Sequence, residues 1–390
     1  MTDAHRKHPT RRDTLKFGAA AAALGAAGLL DPRRARAAQA LTLADIGVGD
    51  TGDWSKFTEA TGHGVDVVSI GNAPSAVVNQ LLAAGGRDVF QLVNIVGGMQ
   101  EPLVENGLIR PVETGRIPNW GTNTYIEKYL APDTPGFKFI GYEGEVYGVP
   151  TVLQGDSFAY LPDETGPLDS FGALFDPKFR GFVAIDDNYT TMGQKTALYL
   201  KANGLAEIAD PSDMTPEEMK AVVDFLIEQK RAGQFRVIWS SFEQAVDLLV
   251  SKEVHVMDCW EPMVFVAREK GTNAVYADPK EGYLLWAMAA YIVERDMPEE
   301  ELAATYDLLN FMLGGWYGAK ITLMRGYMTN PLAADYAESH PDEFTAEEAA
   351  RIREITSGVE AKFAKGGTWQ SRWPTHVDAY EEEWQRFKSA

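Results

Sequence analysis

The chain has 390 residues, 45% hydrophobic and 24% charged, with a formal net charge of −20 and one cysteine. Residues 1–38 hold eight Lys/Arg and three Asp/Glu, so the remainder carries 28 basic and 53 acidic side chains, a formal charge of −25. That excess of acid argues against nucleic acid or anionic membrane as a partner, because phosphate binding needs clustered Lys and Arg; it bears on solubility and steering more than on ligand choice.

In chain order, the first feature is an export signal. Thr10-Arg11-Arg12-Asp13-Thr14-Leu15-Lys16 precedes an apolar, Ala-rich run from Phe17 to Leu30, and Ala35-Arg36-Ala37 supplies an A-x-A cleavage site. The paired arginines predict a twin-arginine signal peptide over 1–38, and so a periplasmic protein starting near Ala38. The run is too short to span a bilayer comfortably. Strands are then expected at Leu41–Ile46, Val65–Ile70 and Asp88–Val93, with helices at Trp54–Thr61 and Ala76–Ala84 between them. This alternation predicts a largely parallel sheet covered by helices. A second set follows: a strand over 182–185, helices over 192–202 and 216–231, and a strand over 254–259. Tyr283–Val293 is again apolar and is expected to return to the first lobe. Trp369, Trp373 and Trp384 predict a C-terminal segment docked on the second lobe. About 350 residues after the leader exceed the usual size of one core. The expected fold class is α/β, with two lobes, each a mixed, mostly parallel sheet flanked by helices, and a ligand cleft between them.

No catalytic constellation appears. Cys259 is alone in an apolar run and reads as a buried thiol. His63, His255, His340 and His376 have no metal-ligand spacing, and no phosphate loop or nucleophile elbow is present. The expectation is a protein without catalytic residues, metal or cofactor.

Four stretches carry a family resemblance: Phe57-Thr58-Glu59-Ala60-Thr61-Gly62, Tyr142 through Pro150, Phe175-Asp176-Pro177-Lys178-Phe179-Arg180-Gly181 with Asp186-Asp187 behind it, and Asp278-Pro279-Lys280-Glu281-Gly282 with Trp286, Gly326-Tyr327 and Asn330-Pro331. In this order they resemble the spermidine/putrescine-binding branch of the extracellular solute-binding proteins of ABC transporters. The resemblance implies a hinged type II two-lobe fold that closes over its ligand. The lobes would comprise 39–153 with 287–316, and 154–286 with 317–390. Partners would be a small-molecule ligand and an inner-membrane ABC permease, with the binding protein itself a monomer.

The resemblance also implies site residues. Trp260 and Trp286 stand where polyamine-binding members place tryptophans, and Asp187 matches one acidic contact. Thr190 and Met288 stand where the family has further carboxylates, and the first-lobe loops lack its aromatic residues. A diamine needs a carboxylate or an aromatic face at each end, so a polyamine ligand is demoted. The chain offers instead Gly47, Gly49, Thr51, Gly97, Gly98, Thr190 and Thr191, whose loops can present N–H groups to an acid head. Arg325 could clamp such a head, although a helix-end salt bridge serves that residue as well. Gln154 and Asp156 sit where the chain should first cross between lobes. Trp54 and Trp239 read as packing residues. The expected function is capture of a small amine-containing or zwitterionic solute by hinge closure. Alternatives are a binding protein for a carboxylate, sulfonate or phosphonate, a sensory accessory protein, and an exported enzyme.

Overall fold

A computed structural model describes residues 39–390 apart from 72–73 and 83–84; the expected signal peptide lies outside the described residues. The strands are β1 (Ala40–Asp45), β2 (Gly64–Ser69), β3 (Leu92–Val96), β4 (Gly141–Tyr142), β5 (Glu145–Val146), β6 (Gly148–Tyr160), β7 (Val183–Asp186), β8 (Phe235–Trp239), β9 (Val256–Cys259), β10 (Val275–Tyr276), β11 (Tyr283–Ile292) and β12 (Gly367–Trp369). The main sheet runs β2-β1-β3-β11-β6-β9-β7-β8. Its two ends are parallel, β1 with β2 and β3, and β7 with β8 and β9. Its centre is antiparallel, because β11 pairs with both β3 and β6, and β6 also pairs with β9.

Strand β6 is the spine of the molecule. All 13 of its residues are buried, as are all ten of β11; β11 is a near-continuous apolar run, whereas β6 buries Thr151, Gln154, Asp156 and Ser157 among its apolar residues. The partner of β6 changes along its length: Asp156 pairs with Leu284 of β11, and the next residue, Ser157, pairs with Cys259 of β9. The strand therefore leaves the first lobe and enters the second at Asp156. Strand β11 then runs antiparallel beside β3.

Apolar side chains separate accordingly. One cluster gathers Leu41, Leu43, Ile95, Val152, Tyr291 and Leu309. Two more sit in the second lobe, one with Phe158, Ile185, Met219 and Trp384, the other with Trp239, Leu249, Met257 and Cys259. The helix Pro216–Arg231 begins at a capping box between Thr215 and Glu218, with Pro at its first position, so its start is written in the sequence. Among the described residues no helix is long and apolar enough to cross a membrane.

Three local expectations are corrected. The strand over 88–93 begins only at Leu92: Phe90 N–H bonds to Gly86 O to close a helical turn, and Val89 is exposed. The helix over 192–202 begins at Gln194 and is preceded by a π-helical turn, Tyr189–Gly193. Residues 317–369, assigned by resemblance to the second lobe, contribute Tyr317, Ile321, Tyr327, Val359 and Phe363 to the first cluster. Trp369 packs there too, against Phe139 and Phe363. Of the C-terminal elements it is the helix Val377–Ser389 that buries Tyr380, Trp384 and Phe387 in the second lobe.

Candidate functional site

The ends of several strands converge on one cavity of about 110 Å³, lined by Asp156, Trp260, Trp286, Tyr327, Thr191 and Arg372, with Ile46, Val48, Val96, Met288 and Gln370. Ile46 and Val48 follow β1, Val96 ends β3, Thr191 lies beyond β7, and Trp260 follows β9. These are carboxyl ends of parallel strands, where open α/β sheets leave a crevice. Trp286 and Met288 come from β11, two residues apart and so on one face. Gln370 and Arg372 follow β12.

Arg372 dominates the chemistry. It is 5% exposed, its Nη1 donates to Thr190 Oγ1 at 3.0 Å, and its Nε has no hydrogen-bond partner. It forms no ion pair within 4.0 Å among the described residues. Burial lowers the guanidinium below its ordinary pKa, opposed by the charge of Asp186. A buried cation with so few partners is expensive unless a ligand completes its shell, and its planar fork suits a carboxylate or similar acid group.

Asp156 faces the same cavity. It is 2% exposed and its Oδ1 lacks a hydrogen-bond partner. Burial raises its pKa, while the Lys195 charge and the nearby Trp286 indole pull it back down. The indole lies close enough to favour the charged carboxylate, yet Trp286 Nε1 has no partner in full hydrogen-bond geometry. Trp286 meets Tyr327 edge-on at 5.4 Å, and Trp260 meets Trp239 edge-on at 5.4 Å. A carboxylate among aromatic rings is a receptor for an ammonium group.

Behind the cavity lies a charged floor. Lys195 Nζ, 1% exposed in its side chain, donates to Asp258 Oδ1 at 2.6 Å and to Ser157 O at 3.1 Å. Asp186 accepts from Thr191 Oγ1, and burial followed by the charge of Asp258 pushes its carboxyl up to about 7.

The residues expected from sequence divide. Asp156, Trp260 and Trp286 line the cavity, and Thr190 touches Arg372 without lining it. Asp187, expected to meet an amine, does not line it: its carboxylate accepts from Trp384 Nε1 at 2.8 Å and Lys388 Nζ at 3.1 Å, tying down the C-terminal helix. Gln154 is spent on Glu261 and Lys362, whose side chains also pair with each other. The glycine loops were expected to offer free N–H groups, but these are already used. Gly47 and Gly49 N–H donate to Asp45, and Gly97 N–H donates to Ala287 O. Gly49 and Gly97 are instead close approaches, since a Cβ would lie 2.2 Å from Asn94 Nδ2 at the first and 2.5 Å from Phe139 O at the second. Arg325 lines an adjoining chamber. Cys259 is fully buried, which raises its thiol pKa far above normal. Sequence reasoning missed Arg372 and the lining role of Tyr327; the only signal was an arginine set between Trp369 and Trp373, which read as packing. Among the described residues no group of three or more His, Cys, Asp or Glu could hold a metal.

Comparison with known proteins agrees with this architecture. The chain is 23% identical over 339 residues to spermidine/putrescine-binding periplasmic protein 1 of Haemophilus influenzae, covering 86% of this chain and 84% of that one. The spermidine/putrescine ABC transporter substrate-binding protein PotD of Streptococcus pneumoniae superposes with a TM-score of 0.67 at 16% identity, covering 90% of this chain and 99% of the other. The Atu4243 GABA receptor superposes with a TM-score of 0.62 at 16% identity, covering 89% and 97%. These are two-lobe binding proteins rather than enzymes, and residues 54–351 match a family of the same kind: the chain belongs to the bacterial extracellular solute-binding proteins.

Proposed function

We propose that this protein is the periplasmic substrate-binding component of an ABC transporter, and that its solute is a small zwitterion whose acid group meets Arg372 and whose amine meets Asp156. One observation carries the reading: a buried guanidinium and a buried carboxyl, each with an unpartnered polar atom, line the same 110 Å³ cavity. A zwitterion completes both shells without adding net charge to the cavity. The lobes would close by hinging near Asp156, and the closed state would be favoured because both charged contacts are complete only there. The closed protein would then present its solute to an inner-membrane permease, having been exported by the twin-arginine route.

A polyamine is the second reading, supported by the names of the curated relatives. Asp156, Trp260 and Trp286 suit one ammonium. Arg372 would repel the other, and of the carboxylates near the cavity Asp156 alone lines it. The deciding experiment is thermal unfolding of ligand-free protein against putrescine, spermidine, γ-aminobutyrate, α-amino acids and simple carboxylates. A ligand at 100 times its dissociation constant adds about 2.7 kcal/mol. Stabilisation by zwitterions above both diamines and simple acids is expected. Stabilisation by putrescine alone overturns the zwitterion reading, and turnover of a bound probe overturns the binding-protein reading.

A further inference from the structure

The cavity shares Ile46, Val48, Trp260 and Tyr327 as walls with a second, larger chamber of about 960 Å³. Phe242, Phe265 and Met324 add apolar surface to this outer chamber, and Arg325 adds a cation. Arg325 ends the helix Gly315–Arg325, which Gly326 terminates at φ 72°.

Arg325 is half-buried where Arg372 is fully buried, and its chamber is also bordered by Glu243, Glu269, Glu347 and Glu348, but the two arginines share one feature. Like Arg372, Arg325 has a buried Nε without a hydrogen-bond partner. Its Nη2 donates to Asp50 O at a long 3.3 Å, and it forms no ion pair among the described residues. Asp45 is near enough for its charge to act on Arg325, but that carboxylate already accepts from Gly47, Gly49 and Asn94. The other cation of the chamber, Arg351, is paired with Glu269 at 2.8 Å. Glu348, which also borders the chamber, is held in the capping box of Thr345. A position at a helix C-terminus accounts for an arginine whose head lies in water beside the helix dipole. It does not account for a buried Nε without a hydrogen-bond partner.

We infer that the outer chamber is a second acid-binding subsite centred on Arg325, and that the solute is an extended zwitterion bearing an additional carboxylate or equivalent acid group. The inference rests on the assignment of Arg372 and Asp156 to the head of the solute. In it, the first acid and the amine occupy the inner cavity, an apolar spacer passes Trp260 and Tyr327 toward Phe265, and the second acid reaches Arg325.

The test is isothermal titration of γ-aminobutyrate, which has one acid group, against glutamate, 2-aminoadipate and 2-aminopimelate, which have two at increasing separation. Wild type is expected to bind at least one diacid about tenfold or more tighter than γ-aminobutyrate. Arg325→Gln should remove that advantage and leave γ-aminobutyrate affinity within about twofold. Arg325→Lys, which keeps the charge and loses the fork, should retain part of it and serves if the glutamine variant does not fold. Arg372→Gln should weaken every acid probe. An unchanged diacid preference in both Arg325 variants, or no preference in wild type, overturns the second subsite and leaves the head-group reading standing. Indifference of all acid probes to Arg372→Gln, or failure of all of them to bind, overturns both.

Discussion

Two loops at the cleft look alike on paper and behave as opposites. The first, Ile46 to Thr51, carries the glycines that suggest an anion-binding loop. The second, Asn188 to Thr191, carries two threonines, the first of which accepts a hydrogen bond from Arg372. In the first loop the donors are consumed internally: Asp45 is buried and accepts from Gly47 N–H at 2.7 Å, from Gly49 N–H at 3.0 Å and from Asn94 Nδ2 at 2.6 Å. Thr151 completes the network by donating to Asn94 Oδ1. In the second, Arg372 makes one side-chain hydrogen bond and keeps an unused Nε. The lesson is that residue type does not make an anion site. Donors left over after the protein has satisfied itself do.

The largest test of that contrast is Arg372→Met. It should remove about 2–5 kcal/mol of affinity for an acid-bearing solute by titration calorimetry. The ligand-free variant should melt no lower than wild type, because a poorly partnered buried charge has been replaced by an apolar chain of similar length. Lost affinity together with a large loss of ligand-free stability would show that Arg372 is a structural residue.

Gly49→Ala should do the reverse. Its Cβ would lie 2.2 Å from Asn94 Nδ2 and 2.8 Å from Asp45 Oδ1, so the network must move, at a cost of about 1–3 kcal/mol in chemical denaturation. Binding by the folded fraction should change little, since Gly49 N–H and its carbonyl are already engaged, the latter by Tyr317 Oη at 2.9 Å. Loss of affinity without loss of stability would return this loop to the ligand.

How much of this was legible follows from where each contact lies along the chain. The helix Pro216–Arg231 could be read to the residue, because its capping box and first-position Pro are local signals. The crossing near Gln154 and Asp156 could be placed from the family resemblance of Tyr142 through Pro150, not from periodicity, since β6 mixes Thr151, Gln154, Asp156 and Ser157 with its apolar residues. Arg372 could not be read, since Thr190, its partner, lies 182 residues away. The glycine loop misleads for the same reason: its donors are visible in sequence, but the buried state of Asp45 and the approach of Asn94 from β3 are not. Asp187 looks like a site acid because it matches an acidic contact of the family it resembles, yet the helix that claims its carboxylate begins 190 residues later.

The floor of the second loop supplies a pH test. The Asp186 carboxyl is pushed up to about 7 by burial and by Asp258. Between about pH 4 and pH 7 the folded protein keeps a proton there that the unfolded chain has released, so this group lowers stability as pH rises through that window. Asp186→Asn cannot ionise. Its stability relative to wild type should therefore climb from pH 4 to pH 7 and level off above, by roughly 1–3 kcal/mol in denaturant titrations. A difference independent of pH would mean that Asp186 is not protonated in the folded protein.

The smallest expected effect separates the second loop from its immediate neighbour. Asp187 adjoins Asp186, but its carboxylate is turned outward to Trp384 and to Lys388, whose side chain is 41% exposed. Asp187→Asn keeps an oxygen for the indole and loses a partly exposed ion pair, so the cost should stay below about 1 kcal/mol. Affinity for every probe should be unchanged within error. Were this substitution to abolish binding while Arg372→Met did not, the amine-only reading would be right, and the leftover donors of Arg372 would need another explanation.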